Sequence, residues 1–206
     1  MHASYAEAQT LSSAGIRVYV DRKDRKLWVI GKGKEVIFSS PVGVGSGGLK
    51  PKTSMEDLIT PTGQFKVDLI LFKAKEFNQV AAADVARYKG TKYEPLLLTK
   101  DSLAELFSNM NSLDFDRDGK ADQAYGDGYI GLTGTAKEVC GPKMNCFGKT
   151  PYWYSIALHG TNSARNIGAA NSGGCIHLPA EALSKLITGK LIGIGTLVEI
   201  GDEPLQ

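Results

Sequence analysis

Ile16-Arg17-Val18-Tyr19-Val20, Asp21-Arg22-Lys23-Asp24-Arg25 and Lys26-Leu27-Trp28-Val29-Ile30 follow one another without a break near the start of the chain. The outer two segments alternate in the period-two manner of half-buried strands, and the polar middle segment is a turn. The expectation is a β-hairpin. Working outward, Glu35 to Ser39 reads as a third strand and Gln64 to Leu71 as another, with Thr60-Pro61-Thr62-Gly63 as the breaker before it. Between them lies Val42-Gly43-Val44-Gly45-Ser46-Gly47-Gly48. No Lys-Ser/Thr step follows this Gly-rich run and no helix opens from it, so it does not read as a phosphate loop.

The middle of the chain changes character. Val80 to Tyr88 and Ser102 to Met110 read as helices, the second with a capping-box pattern of Ser102 and Glu105. The end returns to strands at Tyr152 to His159 and Thr196 to Ile200. A short helix, Pro179 to Ile187, lies between them, with proline in its first turn and Gly189 just past its end. The fold class expected is mainly β, a sandwich-like or barrel-like domain. All 206 residues read as one domain with a mixed helical and loop insertion at about 75–150.

Composition supports a globular chain. Acidic and basic residues nearly balance at a formal net charge of +2, which gives no reason to expect nucleic acid or a membrane surface as partner. No apolar run is long enough for a transmembrane segment. Met1-His2-Ala3-Ser4 does not open a basic n-region followed by an apolar core, so no signal peptide is read here. Cys140 and Cys146 bracket a short loop and are read as a disulfide in an exported protein, as two free thiols, or as metal ligands; Cys175 is the odd cysteine left over.

Chemistry concentrates near the C-terminus, in Ile156-Ala157-Leu158-His159-Gly160-Thr161 and Asn171-Ser172-Gly173-Gly174-Cys175-Ile176-His177-Leu178-Pro179. A strand delivers a histidine to its end, and a Gly-rich turn delivers a cysteine just before a helix. Thiols react as thiolates, and both a neighbouring imidazole and backbone N–H groups at a tight turn favour that form. Glycines let backbone amides approach a reacting carbonyl, as an oxyanion hole requires. The pattern points to acyl transfer.

These segments resemble the L,D-transpeptidase catalytic (YkuD-like) family, whose pattern is a histidine and then Ser-x-Gly-Cys, with an apolar residue and Arg or Asn following. The early hairpin, the Pro41-Val42-Gly43-Val44-Gly45 stretch and Thr60-Pro61-Thr62-Gly63-Gln64-Phe65 resemble the family's N-terminal strands. The resemblance implies Cys175 as nucleophile, His159 as general base, and Gly160 as the residue whose carbonyl orients that base. Ser172, Gly174 and Cys175 match its oxyanion turn. Gly173 stands where many members carry a second histidine, and His177 where Arg or Asn is usual. His177 is thus either a substrate-carboxylate contact or a structural histidine. Tyr152, Trp153 and Tyr154 could wall a substrate groove or belong to the core, and Arg165 could bind a carboxylate or stand solvated.

The implied reaction is on peptidoglycan stem peptides, in the periplasm or cell envelope, with no cofactor for catalysis. Cys175 would form a thioester with a tetrapeptide donor, release D-alanine and pass the acyl group to an amine, giving a 3–3 cross-link. If water resolves the thioester, the activity is an L,D-carboxypeptidase. Two further readings stay open: a zinc hydrolase built on His159, Cys175, His177 and Cys140 or Cys146, and a calcium-stabilised wall-binding module. The second draws on Asp114, Asp116, Asp118 and Asp122 at the first, third, fifth and ninth positions of a loop with Gly119 at the sixth. That spacing suits a structural Ca²⁺, with the Lys120 carbonyl at the seventh position, although Tyr125 stands where a bidentate Glu would be.

Overall fold

The computed structural model describes residues 15–54, 56–134, 146–147, 150–151 and 156–204. The expected hairpin is present: β1 (Arg17–Asp21) pairs antiparallel with β2 (Lys26–Ile30), which pairs with β3 (Val36–Pro41). The short β4 (Val44–Gly45) follows, and then the long β5 (Gly63–Phe72) with β6 (Gln79–Val80) against it. Next come α1 (Ala82–Arg87), α2 (Lys100–Asn111) and β7 (Gly128–Gly134), then a two-residue pair, β8 (Cys146–Phe147) and β9 (Thr150–Pro151). β10 (Ala157–His159), β11 (Ala170–Ser172), β12 (Ile176–His177), α3 (Ala180–Thr188) and β13 (Leu197–Gly201) complete the order.

The main sheet runs β12-β10-β7-β5-β13-β1-β2-β3, and β6 attaches to β5. The last strand, β13, fills the gap between β1 and β5, parallel to the first and antiparallel to the second. β11 pairs with β4 beside this sheet. The protein is mainly β, a curled half-barrel with few helices.

Side-chain parity divides the sheet into two faces. Val18, Val20, Leu27, Val29, Phe65, Val67, Ile130, Leu132, Leu158 and Ile176 point inward and meet one face of α3, through Leu183, Leu186 and Ile187. A register shift between Val67 and Leu69 carries β5 through a bulge, after which Ile70 and Phe72 take the inward positions. The outer face is covered near β5 by α2, whose Leu103 and Phe107 pack on Leu71 and Val80.

Two sequence expectations need correction. The helix expected from Val80 begins at Ala82, because Gln79 and Val80 are held as a strand against Ile70 and Leu69. The helix expected from Ser102 begins at Lys100. Thr99, extended at φ −136° and ψ 162°, is its N-cap, and the reciprocal box joins Thr99 and Ser102 rather than Ser102 and Glu105. Ser102 N–H donates to Thr99 Oγ1 at 3.0 Å, and Thr99 N–H donates to Ser102 Oγ at 3.1 Å. The Lys100 ammonium ties this start to the preceding turn by donating to the carbonyls of Glu76 and Asn78.

Leu183 is fully buried where α3 meets the inner face. Leu183→Ala is expected to lower the unfolding free energy by about 2–5 kcal/mol through lost transfer energy and a residual cavity. Denaturant titration checks this; an unchanged midpoint would show that α3 is not a load on the core.

Candidate active site

At the end of the sheet remote from β3, three outward-facing residues form a transverse row. Tyr129 on β7 pairs with His159 on β10, and His159 pairs with His177 on β12. Their inward neighbours Ile130, Leu158 and Ile176 are core, which fixes the parity. The rings follow the row: Tyr129 stacks on His159 at 6.3 Å between centroids, and His177 meets His159 edge-on at 4.8 Å. Tyr125, from the loop before β7, adds a second edge contact to His159 at 5.0 Å. Asn111 at the end of α2 holds that loop, accepting from Tyr125 N–H and donating to the Gly126 carbonyl.

Cys175 stands two residues before His177 and so approaches the same face, diagonal to His159. It is not in a disulfide, and the residue is half-buried. Burial pushes it up to about 11, against the opposing pull of the Ala157 backbone N–H and the Lys52 ammonium. His159 is 4 % exposed, and its Nδ1 lies 2.6 Å from the Gly160 carbonyl oxygen. A carbonyl only accepts, so Nδ1 carries the proton and Nε2 keeps its lone pair. Burial, reinforced by His177, holds the imidazole down to about 4, although the Gly160 carbonyl pulls the other way. Burial also lowers His177, whose buried Nδ1 has no hydrogen-bond partner among the described residues. At neutral pH the resting pair is therefore a thiol and a neutral imidazole.

The turn that carries Cys175 is tightly tied. Gly174 N–H donates to Ser172 Oγ at 3.1 Å, and Ser172 Oγ donates onward to the Cys175 carbonyl at 2.6 Å. Gly174 adopts φ +127°, a region closed to side chains. Gly173 is exposed at the tip of the turn, with open space where a Cβ would stand. His177 exchanges two backbone hydrogen bonds with Gly43, and Ser46 N–H donates to the Ser172 carbonyl. The Gly-rich stretch after β3 is thus a brace for the cysteine turn.

Several site residues carried no signal in the sequence. Tyr125, in the loop before β7, and Tyr129, on β7, lie in a Gly- and Tyr-rich stretch that points to no catalytic role. Thr60 reads in sequence as part of a chain breaker, and Lys52 and Asp57 belong to no motif. Lys52 and Asp57 form an ion pair at 2.7 Å with the lysine side chain buried. Burial alone would raise the Asp57 carboxyl. The Lys52 ammonium and the N–H groups of Ser54, Ile59 and Thr53 outweigh that and hold it well below the usual carboxylate range.

The structure places the other expected residues as follows. Arg165 is exposed in the turn Ala164–Asn166, and no hydrogen bond or ion pair joins it to the site among the described residues. Tyr154, Cys140 and the side chain of Cys146 lie outside the described residues, and with them the expected disulfide. In the acidic loop, carboxylate oxygens of Asp114, Asp116 and Asp122 come within 4.8 Å of one another. Asp118 instead accepts from Lys120 N–H at 2.8 Å and is not in that group. Asp114, Asp116 and Asp122 are the residues here that could hold a hard cation. Among the described residues, His159, Cys175 and His177 do not form such a converging ligand set.

A mainly β domain that brings a cysteine and an oriented imidazole to the same end of its sheet is the class of protein these features define. The chain belongs to the L,D-transpeptidase catalytic domain (YkuD) family, whose model matches residues 15–200. Similar solved structures include the helical cell shape determining protein Pgp2 (K307A mutant) from Campylobacter jejuni. It has a TM-score of 0.50 and 15 % identity over 92 % of this chain and 48 % of that one. Bd1075 of Bdellovibrio bacteriovorus gives a TM-score of 0.47 and 20 % identity over 97 % of this chain and 51 % of that one. An L,D-transpeptidase from Xylanimonas cellulosilytica gives 0.44 and 14 % over 91 % and 60 %. The chain thus spans 48–60 % of the length of these three structures. No curated protein matches it.

Two outcomes follow from the buried pair. An unfolded histidine takes its proton near pH 6.5, whereas folded His159 resists until about 4. Between these values the unfolded state binds more protons, so stability is full above pH 6.5 and falls as the pH drops through this window. Melting temperature is expected to decline from pH 7 to pH 5 in the parent, and less steeply in His159→Gln; parallel declines would contradict the assignment. Alkylation of Cys175 by iodoacetamide is expected to keep accelerating toward pH 11, and a plateau near pH 8.5 would contradict the raised thiol.

Proposed function

We propose that this domain is a cysteine-dependent acyltransferase of the peptidoglycan stem, with Cys175 as nucleophile and His159 as base. The observation that carries the reading is the outward row Tyr129–His159–His177 beside Cys175, with His159 Nδ1 held by the Gly160 carbonyl. Sulfur attacks the carbonyl of the third stem residue as the thiol proton passes to His159 Nε2. The carbon–nitrogen bond breaks, and that proton leaves with the amine of D-alanine, so a thioester remains. The amine of a second stem then attacks it, loses a proton through His159, and returns the thiol, giving a 3–3 cross-link. Water in place of the amine gives tripeptide and an L,D-carboxypeptidase. The place of action on this reading is the periplasm or cell envelope; among the described residues no helix is long and apolar enough to cross a membrane.

His177 is assigned to the donor, because it stands next to His159 at the end of the outward row. Incubation with disaccharide tetrapeptides followed by mass spectrometry tests the whole reading. Cross-linked dimer or trimmed tripeptide is expected from the parent and neither from Cys175→Ala; product from Cys175→Ala sinks the mechanism. His159→Ala is expected to lower the acylation rate at saturating donor by roughly two to four decades. His177→Ala is expected to act on donor affinity more than on the chemical step. Normal acylation in His159→Ala beside a dead His177→Ala would reverse the two roles.

We also propose a structural Ca²⁺ in the acidic loop, supported by the convergence of Asp114, Asp116 and Asp122. In protein stripped with chelator, millimolar Ca²⁺ is expected to raise the melting temperature by mass action, and Asp116→Ala to abolish the rise. An unchanged melting curve in the parent would refute the site.

A further inference from the structure

Thr60 reaches the cysteine turn from far away in sequence. Its hydroxyl donates to the Gly174 carbonyl at 2.8 Å and accepts from Gly45 N–H at 2.8 Å, and the residue is 1 % exposed. Its donor and one of its two acceptor lone pairs are therefore directed to backbone. The following Pro61 keeps Thr60 out of the helical region. Its own carbonyl accepts from Arg22 Nη1 at 2.6 Å. Arg22 is itself 2 % exposed, and it also donates to the Leu49 carbonyl and to both carboxylate oxygens of Asp202. Gly45 is required for the approach, since a Cβ there would stand 2.2 Å from the Leu58 carbonyl and 2.7 Å from Thr60 N. Thr60 is thus bolted to the sheet on one side and to the nucleophile's turn on the other.

The consequence lies in one peptide unit. In a planar trans peptide the carbonyl and the next N–H point in opposite directions. Holding the Gly174 carbonyl against buried Thr60 turns the Cys175 N–H away from Thr60. Gly174 N–H is engaged by Ser172 Oγ, so the other backbone donor of the turn is already committed. Gly174 at φ +127° has the freedom to swing this peptide, and among the described residues the Thr60 hydroxyl is the side-chain donor that fixes its carbonyl.

We infer that Thr60 is a positioning residue that aims the Gly174–Cys175 peptide so that the Cys175 N–H meets the developing oxyanion. This rests on the acyl-transfer reading of Cys175 but not on peptidoglycan as the substrate. An oxyanion donor assists attack on a carbonyl and does nothing for displacement at a saturated carbon. Acylation and alkylation of the same thiol therefore separate aiming from mere support of the turn.

The experiment compares the full chain with Thr60→Val and Thr60→Ser, using p-nitrophenyl acetate for acylation and iodoacetamide for alkylation, both mapped to Cys175 by peptide mass spectrometry. Thr60→Val is expected to acylate at least about tenfold more slowly, a fraction of the usual effect of deleting an oxyanion donor. Its iodoacetamide rate and pH profile are expected to match the parent's. Thr60→Ser keeps the hydroxyl and is expected to restore acylation, which also answers any loss of folding in the valine variant. Unchanged acylation in Thr60→Val overturns the inference, as does a parallel fall of acylation and alkylation, or a serine variant as slow as valine. Parent protein that reacts with the ester but leaves tetrapeptides untouched would count against the proposed substrate and leave the Thr60 comparison intact.

Discussion

The parallel pairing of β10 with β12 engages very few residues, yet the site depends on it. Leu158 meets Ile176 and His159 meets His177. A slip of one residue would turn His159 inward and leave Leu158 facing the thiol. The register is held from both sides: Leu158 and Ile176 are fully buried against α3, and His177 is locked to Gly43 by two backbone hydrogen bonds. The hydrophobic core thus sets the histidine and the cysteine on one face, and the Gly-rich brace sets how far the cysteine turn stands from it.

The two faces of the sheet do different work. The inner face makes the main core. The outer face carries the site at one end and α2 next to it, near β5, and Tyr125 and Tyr129 contact both. They pack against the cluster around Leu71 and Phe107 and also contact His159. Tyr125 and Tyr129 therefore form part of the wall around the imidazole, and α2 backs them. Burial is the chief cause that lowers His159 and raises Cys175, and the two tyrosines contribute to it at His159.

Much of the fold was legible in sequence because its cause is periodic. The hairpin, the long strand ending at Phe72, the closing strand and α3 each carry a pattern that local burial enforces. The misplaced starts of α1 and α2 show where such reasoning stops. Val80 is held by cross-strand pairing that its neighbours in sequence do not announce, and the capping box read at Ser102 and Glu105 gives way to one joining Thr99 and Ser102, because the extended backbone at Thr99 puts the cap there. At the site, His159 and Cys175 stood out because a strand end and a Gly-rich turn flank them. Thr60, Lys52, Tyr125 and Tyr129 did not, because their partners are distant in sequence and are set by strand order.

The central claim is that the Cys175 thiol becomes acylated by a stem peptide with loss of its terminal residue. Intact-protein mass spectrometry of acid-quenched single-turnover mixtures with a tetrapeptide donor tests this directly. The account predicts a transient mass increase equal to the donor acyl group less D-alanine, located on Cys175 and released by neutral hydroxylamine as a thioester is. A donor consumed with no adduct at any time, or an adduct located on another residue, would contradict it.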